Sequence, residues 1–459
     1  MVTGTFLFLD QLVVAIGSWI YWIIILKFIS SYEVGQATTV YSLVLLVSMF
    51  TQLGLEYPLL KKASNERSQI LGTALVLELV ISVASLPIII YCINALFNGS
   101  LDSFALIASL LLILSTLGFV LRFALLGISD SKNILIIDII GMVIKFVAGF
   151  ALVSTGFGAF GVVMSFVLQA AFTAGIALAV ARTTFGFRLG NMHYARQIII
   201  DGLVNTPSKF SRMLILSFSV VLLASFGIST SEVGIFYVAF IVSVIAGGLA
   251  SSISFMVIPA SSASKVDLSS SSLRIGLSLI APLISALIVA PSYILSLIGP
   301  EYSSAGLVLL ILSVGILPSC IIANTIAKFI NVENRKKLIA IGLVQLFTFL
   351  TVFWLMVPHY GTLGAALATL MAFVAGSIFS IIWTQREVLK YIANSSIAVI
   401  SGVASGYFLL LAFGTHPLVA ALFSCAITFM VVVVLKNFSL TEIRHLVRMT
   451  IKNNTNISK

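Results

Sequence analysis

Charge is what this chain has least of. Asp, Glu, Lys and Arg together make up 9% of its 459 residues, against 60% hydrophobic, where a soluble domain carries about 25% charged residues. A water-exposed surface cannot be built from that composition, so an ordinary soluble fold is excluded. Cysteine is scarce as well. Cys92, Cys320 and Cys425 each lie alone inside an apolar run, which points to neither a disulfide framework nor a thiolate metal site. The histidines, His193, His359, His416 and His445, are scattered singly. There is no Asp-x-Asp metal motif and no phosphate-binding loop. These absences argue against a membrane-embedded glycosyltransferase or acyltransferase and against ATP hydrolysis, and no cofactor is expected.

What is present is a series of long apolar runs. A hydrocarbon core about 30 Å thick needs roughly 20 apolar residues per spanning helix. Fourteen such runs occur, near 5–29, 37–55, 70–93, 104–128, 134–154, 162–181, 203–226, 235–258, 275–298, 305–328, 338–358, 365–384, 397–413 and 417–435, the last two being short. The expected fold is therefore all-α and polytopic. The first run lacks a basic flank and a small-residue cleavage site, and reads as a retained helix rather than a signal peptide. The net charge of +10 could suggest nucleic acid, but its placement argues otherwise. Of the 25 Lys and Arg residues, 20 fall in alternate loops and the C-terminal tail, and the intervening loops have none. By the positive-inside rule both termini are expected to be cytoplasmic.

The chain also repeats itself. SSYEVGQATTVY at 30–41 returns as TSEVGIFYVAF, with Glu33 and Gly35 matching Glu232 and Gly234 at an offset of 199. Pro58 matches Pro259, Gly72 and Pro87 match Gly276 and Pro291, and Lys132 matches Arg335. GAFG at 158–161 matches GTLG at 361–364. The offset drifts by only a few residues, which marks a duplicated six-helix unit. Six is even, so the copies insert in parallel, a common transporter plan with the substrate site between the halves. The expected organisation is a six-helix bundle at 1–181, a cytoplasmic linker at 182–202, a second bundle at 203–384, two additional helices at 385–435 and a basic tail at 436–459.

EVGQATTVYSLVLLVSMFTQLGLEYPL, then SEVGIFYVAF, LSLIGPEYSSAGLVLLIL and PHYGTLGAALATL, resemble in their order the polysaccharide exporters and lipid-linked oligosaccharide flippases. That superfamily also includes the multidrug and toxin extruders. The resemblance spans about residues 1–385. It implies two bundles forming a V, with a cavity that opens alternately to each side of the cytoplasmic membrane. The helices at 5–29, 37–55, 203–226 and 235–258 would line it. The implied cargo is a polyprenyl-(pyro)phosphate-linked sugar. Membrane lipids are the other expected partner, nucleic acid is not, and any glycosyltransferase or polymerase partner stays unspecified. A drug or organic-cation exporter of the same fold is the alternative, disfavoured by a cationic cavity.

Ionisable residues inside spanning helices mark a function or a partner. Arg122 and Asp138 lie within roughly 6–9 Å of the inner ends of their helices, and a structural clamp between them is the first reading, with a transport role as the alternative. Lys27 and Glu33 read as snorkelling to the headgroups. Lys145, halfway along its helix, shares a face with Asp138, Gly141 and Gly149. It either lines the cavity or pairs with Glu78, which has similar depth.

In IDGLVNTPSKFSRMLIL at 200–216, Asp201, Asn205, Ser208 with Lys209, and Arg212 recur at helical spacing, forming one polar stripe that Pro207 is expected to kink. The competing reading is an interfacial segment with the span starting near Arg212. As a cavity stripe, Lys209 and Arg212 would hold an anionic diphosphate, Arg through a bidentate fork and Lys as a point charge. Under the 199 offset Asp10 corresponds to Lys209, which would allow a pairing. Asp10, Glu78 and Asp138 are the candidate proton or sodium carriers. Arg444, Arg448 and Lys452 recur at fourfold spacing in the tail and suit either a short helix on the inner leaflet or a frayed basic tail. Asn98-Gly-Ser is a glycosylation sequon in an expected external loop.

Overall fold

The computed structural model describes residues 2–63, 67–97, 102–186, 188–203, 206–264, 269–331, 334–383, 386–435 and 437. The Asn98 sequon and the amphipathic tail lie outside them. Among the described residues all regular structure is helical. Eleven helices are long and apolar enough to cross a membrane, and a shorter apolar helix runs over Leu12–Ile25. This is the multi-pass all-α protein that the composition requires, and the fourteen apolar runs are compatible with it. The chain packs as two compact units, residues 5–234 and residues 235–459 with 1–4.

The first unit contains α1 (Val2–Ile25), α2 (Ser31–Thr51), the short α3 (Glu56–Lys62), α4 (Arg67–Phe97), α5 (Asp102–Gly127), α6 (Ser131–Ser154), α7 (Gly158–Phe185), the short α8 (Met192–Leu203) and α9 (Thr206–Ser225). In it α7 packs on α5 and α6, α5 on α2, α3 and α4, and α9 on α2. At the end bearing α3 and α8, an apolar core is built from Leu59, Leu71, Leu121, Ile134, Ala181 and Ile198 among others.

The Glu of the repeated turn is a helix cap. The Ser30 Oγ accepts the Glu33 N–H at 3.3 Å, and Glu33 Oε2 accepts the Ser30 N–H at 2.8 Å, a complete capping box. At the start of α10 (Thr230–Ser264) the Ser229 Oγ accepts the Glu232 N–H at the same 3.3 Å. The following glycine permits close approach. A Cβ on Gly35 would stand 1.8 Å from the Thr230 carbonyl oxygen, and one on Gly234 would stand 2.1 Å from that of Ser31. The Ser31 and Ser231 hydroxyls hydrogen-bond at 2.7 Å. The two copies of the turn thus meet backbone to backbone within the first unit.

The second repeated glycine pair behaves alike in both copies. Gly158 has φ +46° and Gly361 has φ +53°, a backbone region that glycine enters without steric cost. At Gly361 the 48-residue helix α15 (Arg335–Ile382) has non-helical dihedrals. A Cβ on Gly364 would meet the Met356 carbonyl carbon at 2.6 Å, a distance no continuous helix allows eight residues apart. The chain folds back there, so α15 holds two of the apolar runs.

The second unit continues with α11 (Ser269–Val289), α12 (Pro291–Ser296), a 3-10 turn (Pro300–Ala305), α13 (Gly306–Val314), α14 (Ile316–Asn331), α15, α16 (Arg386–Phe413) and α17 (Pro417–Val434). Pro291 starts α12, whereas its repeat mate Pro87 sits inside α4. A proline lacks the N–H that a helix interior uses and is tolerated in the first turn, so the second copy breaks where the first continues. The last two helices, α16 and α17, pack on each other and on α11. Small residues and hydroxyls make that contact, as helix packing in lipid favours. Thr428 donates to Ser285 Oγ at 2.8 Å, and Tyr407 donates to the Ile288 carbonyl at 3.0 Å.

Candidate functional site

Three ionisable side chains from three helices meet inside the first unit. The Arg122 guanidinium on α5 donates one N–H to Asp138 Oδ2 on α6 and another to Asp10 Oδ2 on α1. The clamp between Arg122 and Asp138 forms, and Asp10 joins it as a third member. Depth matching could have found Asp10, which lies as far into its helix from one end as Asp138 does into α6. Asp10 is fully buried, and its Oδ1 is buried without a hydrogen-bond partner among the described residues. One guanidinium serves two carboxylates here, so the cluster holds an excess negative charge when both are ionised, a costly arrangement away from water.

The cluster borders a cavity of about 260 Å³ between α2, α5, α6 and α7. Arg122 and Asp138 line it together with Tyr41, Phe166, Gln169 and Thr173. The arrangement offers an acceptor-rich niche, open on one side, with an unpartnered carboxylate oxygen behind it.

Lys145 is held by aromatic rings within the first unit. It is 2% exposed, and its Nζ lies 4.4 Å from the ring centroids of both Tyr21 and Phe166. Ring faces attract a desolvated ammonium by about 2 kcal/mol or more. The Tyr21 ring is itself fixed by a 2.6 Å hydrogen bond between its hydroxyl and Ser165 Oγ, and Gly149 makes room for it. Among the described residues no ion pair is seen between Lys145 and Glu78. The reason is packing, since α6 lies against α7 and α5 while α4 lies against α5 and α2. Glu78 is fully buried on α4. Sequence spacing carried no sign of the aromatic cage, because Tyr21, Lys145 and Phe166 come from separate helices.

The polar stripe from Asp201 to Arg212 is described at its two ends, with residues 204 and 205 outside the described residues. Asp201 lies in α8, and its carboxylate pairs with Lys62 at 3.1 Å. Pro207 lies in the helical stretch described as α9, Thr206–Ser225. Lys209 and Arg212 both lie within the helical range of α9. Asn205 and the side chains of Lys209 and Arg212 lie outside the described residues.

The sequence profile of the family described as "polysaccharide biosynthesis protein" matches residues 24–305. No curated protein matches the sequence. Among solved structures, the lipid II flippase MurJ in its inward closed conformation has a TM-score of 0.68 at 15% identity, covering 95% of this chain and 100% of that one. An outward-facing multidrug resistance MATE family transporter of the MOP superfamily has a TM-score of 0.61 at 16% identity, covering 86% of this chain and 96% of that one. Its inward-facing counterpart has 0.57 at 16% identity, over 86% and 96%. The likeness to MurJ and the MATE transporters is one of fold. With more than half of its length matched by the profile, and with the multi-pass helical fold those structures share, the chain belongs to the polysaccharide biosynthesis protein family.

Proposed function

We propose that this protein is a flippase that moves a polyprenyl-(pyro)phosphate-linked saccharide from the cytoplasmic to the outer leaflet by alternating access. The observation that carries the reading is family membership over residues 24–305 combined with full-length likeness to a lipid II flippase. Both termini are cytoplasmic in this reading, on the strength of the Lys/Arg asymmetry between alternate loops. The protein carries its cargo without making or breaking a covalent bond in it.

In the proposed mechanism the start of α9 meets the cargo's charged end. Lys209 and Arg212 hold the diphosphate, Arg212 through its planar fork and Lys209 as a point charge, and Asn205 hydrogen-bonds beside them. The lipid tail remains in the bilayer. Asp10, Arg122 and Asp138 supply the coupling. A proton or a small cation entering the cavity beside them neutralises the excess carboxylate, and its departure restores the charge, so the cluster has two electrostatic states to bias a conformational equilibrium. A drug exporter of the same fold is the second reading, favoured by the likeness to MATE transporters, and a cationic α9 start opposes it.

The test uses purified protein in liposomes carrying a labelled polyprenyl-diphosphate saccharide. Flipping by the natural chain and its loss in the Arg212→Ala, Lys209→Ala double variant, at unchanged membrane abundance, support the proposal. Normal flux in the double variant removes α9 from the mechanism. Transport of organic cations with no movement of the saccharide lipid overturns the flippase reading.

A further inference from the structure

A second cavity lies on the outside of the first unit. It is a groove of about 540 Å³ between α4, α5 and α7, walled by leucines such as Leu75, Leu79, Leu117 and Leu178 and closed at one end by Arg188. Leu79 and Leu178 are 41% and 43% exposed, so the groove opens sideways from spanning helices, where the bilayer would be. Arg188 follows α7 by three residues and sits beside the first turns of α4, at the depth where spans end and headgroups begin.

The backbone around Arg188 is strapped in place. Its N–H donates to the Ser68 carbonyl at 3.1 Å, and the Gly190 N–H donates to Thr73 Oγ1 at 2.8 Å. Gly72 lets the strand of chain lie flat, because a Cβ there would stand 2.4 Å from the Arg188 carbonyl oxygen. The Arg188 side chain is exposed, and among the described residues no carboxylate pairs with it. An apolar slot with one guanidinium at its headgroup end is complementary to a molecule with one acyl chain along the slot and one anionic phosphodiester at its mouth.

We infer that this groove is a binding site for a single anionic glycerophospholipid of the leaflet that borders the 182–202 segment. The occupant is a bilayer lipid and not the transported cargo. The groove suits one acyl chain rather than a long polyprenyl tail, and one arginine suits a phosphodiester better than a diphosphate. Bound there, the lipid would tie the chain segment between α7 and α8 to the start of α4.

The experiment is native mass spectrometry of the full chain in detergent, titrated separately with phosphatidylglycerol, phosphatidylcholine and a polyprenyl phosphate. The expected result is one tightly retained phosphatidylglycerol, favoured over phosphatidylcholine. Arg188→Gln should weaken it about fivefold, as for one basic residue at a leaflet surface, and Arg188→Lys should weaken it less. Leu79→Trp, which fills the open side of the groove, should remove binding of both phospholipids. Arg182→Gln, on an exposed residue outside the groove, should change nothing. Equal retention of phosphatidylglycerol by Arg188→Gln would overturn the inference. So would displacement of phosphatidylglycerol by polyprenyl phosphate at equal concentration, which would assign the groove to the cargo.

Discussion

Arg122 faces Asp10 and Asp138 because a charge in hydrocarbon is tolerated only with a partner, and its fork can serve two carboxylates at once. Removing that cation strands two buried acids. Arg122→Leu should destabilise the protein by about 3–5 kcal/mol, the usual cost of breaking a buried pair, read as a fall in thermal unfolding midpoint in detergent. Adding Asp10→Asn and Asp138→Asn should restore most of the loss. No recovery in the triple variant would mean that Arg122 acts through packing alone. Lys145 carries the opposite expectation. Its ammonium rests between two rings, and among the described residues no carboxylate pairs with it, so Lys145→Met should fold to normal abundance and keep flux within about twofold, since a flexible thioether also packs well on aromatic faces.

At the scale of elements, the repeated turns were legible in the sequence and their contact was not. Ser-x-x-Glu before an apolar run is a capping signal that can be read directly, and the Gly158 and Gly361 matches marked positions that share a positive φ. That Gly35 and Gly234 face each other depends on how distant helices pack, which no local pattern encodes. The contact predicts a cross-link. With the native cysteines replaced, Ser31→Cys and Ser231→Cys should oxidise readily to a disulfide, because the hydroxyls they replace are 2.7 Å apart. Gly234→Val should suppress it by pushing the backbones apart, and failure of the parent pair to cross-link would contradict the packing. The region 200–216 admits two readings for a local reason. Asp201 and Arg212 have the spacing of one helical face, yet Pro207 is as well suited to begin a helix as to bend one, and periodicity alone does not separate the two.

For the whole molecule, composition and long apolar runs read out the multi-pass helical class directly from the sequence. The buried charge cluster was half legible, since Arg122 and Asp138 stand on consecutive helices while Asp10 comes from more than a hundred residues away. Topology follows from the alternation of basic loops. In a cysteine-free background, Ser100→Cys and Ser229→Cys should react with an impermeant thiol reagent added to intact cells, and reaction only after permeabilisation would invert the orientation. The central claim is that the family fold here carries a lipid-linked saccharide across the bilayer. Its most direct test is to reconstitute the natural chain into liposomes with a polyprenyl-diphosphate saccharide in both leaflets and measure how much of the sugar an impermeant oxidant reaches. Protein-free liposomes should expose only the outer half of the pool. With the protein present the account predicts oxidation of nearly all of it, and an accessible fraction that stays at half would contradict the account.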